Sequence, residues 1–271
     1  MALGKWIHNR ETLMQSVFSI EDVRTAFPTL SPQVVRNGLS RMAKAGKILS
    51  VHRGVYVILP AKYERRGTVP PSFYMDSLMK RLGRSYYFGL LSAARYLGAS
   101  HQLPMAETVV TTRPDMSASA HRNPLVKWLY RSAIPERFVV EAKGEYDRVK
   151  YSTSELTALD LVQFAQSAGG LSRVASVLCE LVEKLDFAGS ADSGLFSMTT
   201  IPTIQRLGHV LEYTVEAANC ANALYEELLK FSRKSLKTVL LAPGSKPLDM
   251  DRRNIGRWHV LANFEIEIDE L

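Results

Sequence analysis

Between residues 31 and 45 the sequence reads SPQVVRNGLSRMAKA. Set on an α-helix at 100° per residue, Gln33, Arg36, Asn37, Ser40 and Lys44 fall within about ±60° of one another. Val35, Leu39 and Met42 fall on the opposite side. Arg can grip guanine with two hydrogen bonds, Asn or Gln can do the same for adenine, and Lys suits phosphate. The face carries no acid, whereas a merely solvated face would mix Glu with Lys. A little further on, His52-Arg53-Gly54 sits between two β-rich runs, where a cation can reach a neighbouring phosphate or the minor groove. The chemistry this pattern predicts is recognition of duplex DNA. The candidate contact set is Ser31, Gln33, Arg36, Asn37, Ser40, Arg41, Lys44, His52 and Arg53.

The elements that must position these residues can be read from the same region. NRETLMQSVF (9–18) predicts a first helix with Leu13, Met14 and Val17 inward. Ser19 caps a second, with Asp22 in its first turn and Ile20, Val23 and Phe27 on one face. Pro28 ends it. Ser31 as N-cap and Pro32 at the first helical position open the third helix, and Gly46 ends it. Residues 47–51 and 55–59 predict a hairpin with Gly54 at the turn. Helix, helix, turn, helix and hairpin is the order of a winged helix-turn-helix, whose third helix enters the major groove. Such a domain can also serve protein contacts alone, a reading the charge distribution argues against.

The chain has 271 residues and a formal net charge of +7. Residues 1–66 hold 11 Lys/Arg against 4 Asp/Glu, so the remaining residues are balanced at 23 and 23. The whole excess lies in the first quarter, which indicates a polyanion-facing domain joined to a neutral one. Cys179 and Cys220 lie in apolar helical stretches and are expected to be buried, structural thiols. Neither has the spacing of a metal site. No signal-like segment follows Met1, and no run approaches the ~18 apolar residues of a membrane helix, so a cytoplasmic protein is expected.

PAKYERRGTVPPS (60–72) reads as an interdomain boundary, giving a DNA-binding domain over 1–66 and a larger α+β domain over 72–271. In the second, helices are expected at 74–82, 89–97, 171–185, 202–213 and 219–231, and strands at 107–113, 127–133 and 136–142. Ser152 and Glu155 look like a capping box ahead of LTALDLVQFAQ. The tail HVLANFEIEID alternates as a half-buried strand would, with Val260, Ala262, Phe264, Ile266 and Ile268 on one side and Glu265, Glu267 and Asp269 on the other. Catalytic signatures are scarce. Pro243-Gly244-Ser245-Lys246 lacks the rest of a phosphate loop and reads as a turn. Asp249 and Asp251 stand beside Arg252 and Arg253, as surface ion pairs would. Asp160, in an apolar helix, is either a packing contact or a buried catalytic carboxylate. No catalytic residue, metal or cofactor is assigned. A nucleic-acid- or nucleotide-processing enzyme with a winged-helix targeting domain stands as the alternative, with Asp160 or Asp249 and Asp251 as its candidates.

Several stretches resemble one family, in that family's order. They are LSRMAKAGKILSVHRGVYVILP (39–60), YYFGLLSAARYLG (86–98), YSTSELTALDLV (151–162), AGGLSRVASVLCELVEKLD (168–186), TIQRLGHVLE (203–212) and IGRWHVLANFEIE (255–267). They are similar to AbiEi-type antitoxins of type IV toxin–antitoxin and abortive-infection systems. The resemblance spans nearly the whole chain. FAGSADSGLFSM (187–198) departs from the family pattern as an insertion would. The resemblance implies a DNA-binding repressor of its own operon, acting at an inverted repeat in its promoter as a monomer or weak dimer that cooperates on DNA. It also implies an antidote to a cognate nucleotidyltransferase-like toxin, with or without stable contact. The N-terminal domain would bind DNA and the C-terminal domain would supply antitoxicity.

Overall fold

The computed structural model describes residues 2–13, 15–99, 105–114, 116, 124–232, 234–244 and 255–268. The chain begins with α1 (Ala2–Thr12), β1 (Val17–Ser19), α2 (Ile20–Ala26), α3 (Pro32–Lys44), β2 (Ile48–His52) and β3 (Val55–Ile58). The three strands form a sheet in the order β1-β3-β2, with both pairings antiparallel. Ile7, Phe18, Val23, Val35, Leu39, Ile48 and Ile58 form one core, with Trp6, Phe27, Met42 and Tyr56 packed around it. Trp6 meets Phe18 edge-on at 5.4 Å between ring centroids.

The first helix departs from expectation. It ends at Thr12, and Leu13 is 67% exposed. Val17 is buried, but in β1, where Val17 pairs with Val57 and Phe18 with Tyr56. The β-branched and aromatic pair is taken by the sheet, which satisfies its backbone groups better than one more helical turn would. Met14 lies outside the described residues. The second helix is capped as expected: Asp22 N–H donates to Ser19 Oγ at 3.1 Å and Ser19 N–H to Asp22 Oδ2 at 2.8 Å, a reciprocal box.

Next come α4 (Ala61–Glu64), α5 (Met75–Arg81), β4 (Tyr86–Phe88), α6 (Leu90–Tyr96), β5 (Glu107–Thr112), β6 (Val126–Arg131), β7 (Val139–Lys143) and β8 (Arg148–Ser152). Strands β4 to β8 lie in the order β6-β5-β4-β8-β7, and β5 and β6 run parallel over their full length. The later elements are α7 (Ser154–Gln163), α8 (Ala165–Ala168), α9 (Leu171–Leu181), α10 (Ser190–Ser193), α11 (Ile201–Tyr213), α12 (Ala218–Phe231), β9 (Val239–Leu240) and β10 (Val260–Leu261). The protein is of the α+β class.

Contacts divide the chain into two compact units. The first comprises residues 1–87, 105–134 and 141–150, and the second residues 88–104, 135–140 and 151–271. In the second, every residue of α7 from Leu156 to Val162 is buried, so helices must cover it on all sides. Trp258 is fully buried against Gly208 of α11: a Cβ there would lie 2.2 Å from the indole ring. Trp258 Nε1–H donates to Glu212, and Gln205 Nε2–H to the carbonyls of Lys237 and Trp258.

Four further expectations are corrected. Thr153, not Ser152, caps α7, accepting from Leu156 N–H at 3.4 Å. Ser152 ends β8 and bonds Thr157 Oγ1 at 2.7 Å, while Glu155 accepts from Asp186 N–H. Within 136–142, residues Glu136–Phe138 form a 3₁₀ turn and the strand begins at Val139. Among the described residues the tail is a strand only at Val260–Leu261, pairing in parallel with Val239–Leu240. Beyond it Phe264 and Ile268 are 39% and 38% exposed, because no second strand pairs with them among the described residues. Asp269 lies outside those residues. Cys179 and Cys220 are half-buried rather than buried. Burial raises both thiols, Cys220 to about 11, with Glu155 and Asp186 contributing there, which disfavours the reactive thiolate.

Candidate nucleic-acid interface

Helix α3 is set by its own residues. Ser31 Oγ accepts from Val34 N–H at 3.3 Å, and Pro32 occupies the first turn. At the far end Gly46 takes φ +68°, and Lys47 N–H donates back to Met42 O at 3.0 Å, closing the helix with a left-handed turn. Val35, Gly38 and Leu39 are buried. Gly38 permits a close approach: a Cβ there would sit 3.0 Å from Leu3 Cδ2 of α1. Docked this way, the helix leaves Ser31, Gln33, Arg36, Asn37, Ser40, Arg41 and Lys44 exposed.

The exposed side chains are not independent. Arg36 Nη2 donates to Gln33 Oε1 at 2.9 Å, and Gln33 Nε2 donates to Asn37 Oδ1 at 3.0 Å. This ladder links three polar side chains across the exposed face. Val34, 49% exposed, lies on the Arg41 side of the same surface and was not singled out by the sequence. A β-branched residue at an exposed helical position was the available signal, and it suits a thymine methyl. No Asp or Glu occurs between Asp22 and Glu64, so the helix, its flanks and the hairpin form one acid-free stretch.

The hairpin places the other two candidates. His52 pairs with Val55 across the turn, with an irregularity between Ser50 and His52. Arg53 is exposed at the tip, and His52 is half-buried. Gly54 takes φ +75°, which a side chain would resist. Ile20 N–H donates to Gly54 O at 2.8 Å, tying the tip to the start of α2. Arg53 therefore extends from an anchored turn. The structure brings the α3 residues onto one surface and puts His52 and Arg53 on a separate hairpin, within the same first unit.

The candidates of the alternative reading are placed as follows. Asp160 is fully buried within α7. Gly244 takes φ +89° in a turn, while Ser245, Lys246, Asp249, Asp251, Arg252 and Arg253 lie outside the described residues. Among the described residues no group of three or more His, Cys, Asp or Glu is arranged to hold a metal ion, and no helix is long and apolar enough to cross a membrane.

Residues 87–213, from the end of β4 through α11, match the family model of the AbiEi antitoxin C-terminal domain. Over that stretch the chain carries an AbiEi antitoxin C-terminal domain. An antitoxin role in a toxin–antitoxin system goes with that domain. No curated protein matches the sequence. Among solved structures, the chain is similar to the RV2827C protein from Mycobacterium tuberculosis, with a TM-score of 0.65 over 94% of this chain and 90% of that one. At 11% identity that likeness concerns the fold alone. The segment 187–198 lies inside the matched residues and is packed against the rest of its unit. Phe187 and Phe196 are buried, and Ala191 N–H donates to Glu227 at 2.9 Å.

Proposed function

We propose that this chain is an AbiEi-type antitoxin, a DNA-binding repressor of its own operon and the antidote to a nucleotidyltransferase-like toxin. Residues 1–66 act as a winged helix-turn-helix in which α3 is the recognition helix and the β2–β3 hairpin is the wing. The observation that carries the reading is the exposed surface of α3, where Arg36, Gln33 and Asn37 are linked by hydrogen bonds and flanked by Ser40, Arg41 and Lys44 with no acid among them. Such a surface has the donors and acceptors for base edges in the major groove and the cations for the phosphates beside it. One copy presents one such helix, so an inverted repeat in the promoter would be read by two copies, with weak self-association or cooperativity on the DNA. The balanced charge of residues 67–271 makes mimicry of nucleic acid a poor basis for antitoxicity, and favours apolar or hydrogen-bonded contact, or action on the toxin's target.

The antidote half of the proposal is tested by growth. The gene beside this one in its operon is expressed alone and then with this chain. The reading predicts that growth arrests in the first case and resumes in the second. Arrest that persists at full antitoxin expression would overturn the assigned toxin.

A further inference from the structure

The first unit contains a second basic concavity, lined by no residue of α3 and none of the hairpin turn. It is a cleft of about 860 Å³ bordered by α1, α2 and α5, with Arg10, Arg81 and Lys80 on its walls and Asp22 as its one acidic lining residue. The two guanidiniums converge: Arg10 Nη2 donates to Val17 O at 3.1 Å, and Arg81 Nη2 approaches the same oxygen at 3.4 Å. One carboxylate attracts both guanidiniums but bonds only that of Arg81. Asp22 Oδ2 lies 2.9 Å from Arg81 Nη2 and also accepts from Ser19 N–H. Lys80 is engaged by the buried Asp76 at 2.5 Å. Arg10 Nε is shielded from solvent and has no hydrogen-bond partner.

Buried donors are nearly always satisfied, so an enclosed guanidinium nitrogen with nothing to bond marks a place where an acceptor is wanted. Burial and the nearby Arg81 both depress the basicity of Arg10, against the pull of Asp22. An added anion would relieve that repulsion. Paired guanidiniums present forks of donors that fit phosphate oxygens two at a time. The cleft is far larger than a phosphate and within the ~300–1,000 Å³ usual for small-molecule sites. Trp6, with the Arg10 guanidinium 4.9 Å over its ring, and Tyr146, packed on Phe73, line it as aromatic walls for an organic body.

We propose that this cleft binds a small phosphorylated metabolite of the nucleoside monophosphate class, its phosphate between Arg10 and Arg81 and its ring along the Trp6 and Tyr146 side.

The test is calorimetric titration of the full chain with AMP, adenosine and inorganic phosphate as separate probes. AMP should bind, phosphate should bind more weakly, and adenosine at the same concentration should give no heat. Arg10→Gln should weaken AMP binding by about tenfold or more. Thr25→Glu, a change at an exposed residue on the cleft rim, should do the same without touching the core. Thr29→Glu, equally exposed and outside the cleft, should leave it unchanged. Absence of AMP binding to the unaltered chain overturns the proposal. So does adenosine binding as well as AMP, phosphate binding as tightly as AMP, or an equal loss from Thr25→Glu and Thr29→Glu.

Discussion

Arg53 earns its place in the account through the residues that hold it rather than through its charge alone. Gly54 accepts the positive φ of the turn, and the bond from Ile20 N–H to Gly54 O fixes where the tip lies. An exposed arginine on an anchored tip is placed to meet a phosphate without reading a base. Each phosphate neutralised by a cation contributes about −0.9 to the slope of log affinity against log salt. Arg53→Ala is therefore expected to flatten that slope by about one unit with base preference nearly intact, measured by fluorescence anisotropy across a salt series. A slope equal to that of the unaltered protein would remove the wing from the contact surface. At this scale the sequence was informative for α3, because a single helix with a strong apolar face dictates by its period which residues point outward. The ladder from Arg36 through Gln33 to Asn37 was not legible, since rotamers are chosen by neighbours and not by period.

Helices were legible where their own periodicity decides them, as in α3, α9, α11 and α12, with side-chain caps on α3 and α11. Of the short strands, the β2–β3 hairpin was legible and others were not. β1, β4 and β8 span three to five residues each, and partners far along the chain make them strands, as Tyr151 does for Phe88. The cap of α7 moved from Ser152 to Thr153 for a similar reason, because Ser152 is held by β8 and by Thr157. Within α11, His209 carries a consequence for stability. Burial pushes its imidazole below the ordinary value of about 6.5, with Glu212 pulling the other way, and its Nδ1 is shielded with no hydrogen-bond partner. The folded state thus refuses a proton that the unfolded chain accepts. Stability from this group is full above the unfolded pKa and is lost as pH falls from about 6.5 toward the depressed folded value. Urea unfolding followed from pH 8 to pH 5 should show the unaltered protein losing stability relative to His209→Gln in that window. Parallel pH dependence of the two proteins would show that His209 does not carry the effect.

For the whole molecule, the charge asymmetry points to two roles, and the composition of 60–72 points to a boundary there. Contacts interleave later segments with the first: Arg81 pairs with Asp22, and Lys62 with Glu145 at 2.5 Å. Composition cannot reveal such pairs, since they join residues distant in sequence. We propose that the two roles nevertheless separate. A fragment of residues 1–67, with the core around Phe18 and Leu39 but without Arg81, should unfold at lower temperature yet retain weak, salt-sensitive DNA binding. A fragment of residues 72–271 should bind no DNA and still rescue growth against the toxin, with the folding of each checked by circular dichroism. Rescue by residues 1–67 alone would sink this division. The central claim is that α3 reads the operator. Anisotropy titration of the promoter fragment upstream of this operon, beside a scrambled duplex at the same salt, tests it most directly. The account predicts preference for the promoter, with Arg36→Ala and Asn37→Ala each costing about 1–3 kcal/mol on the promoter and little on the scrambled duplex. Promoter affinity unaltered in both variants would contradict it.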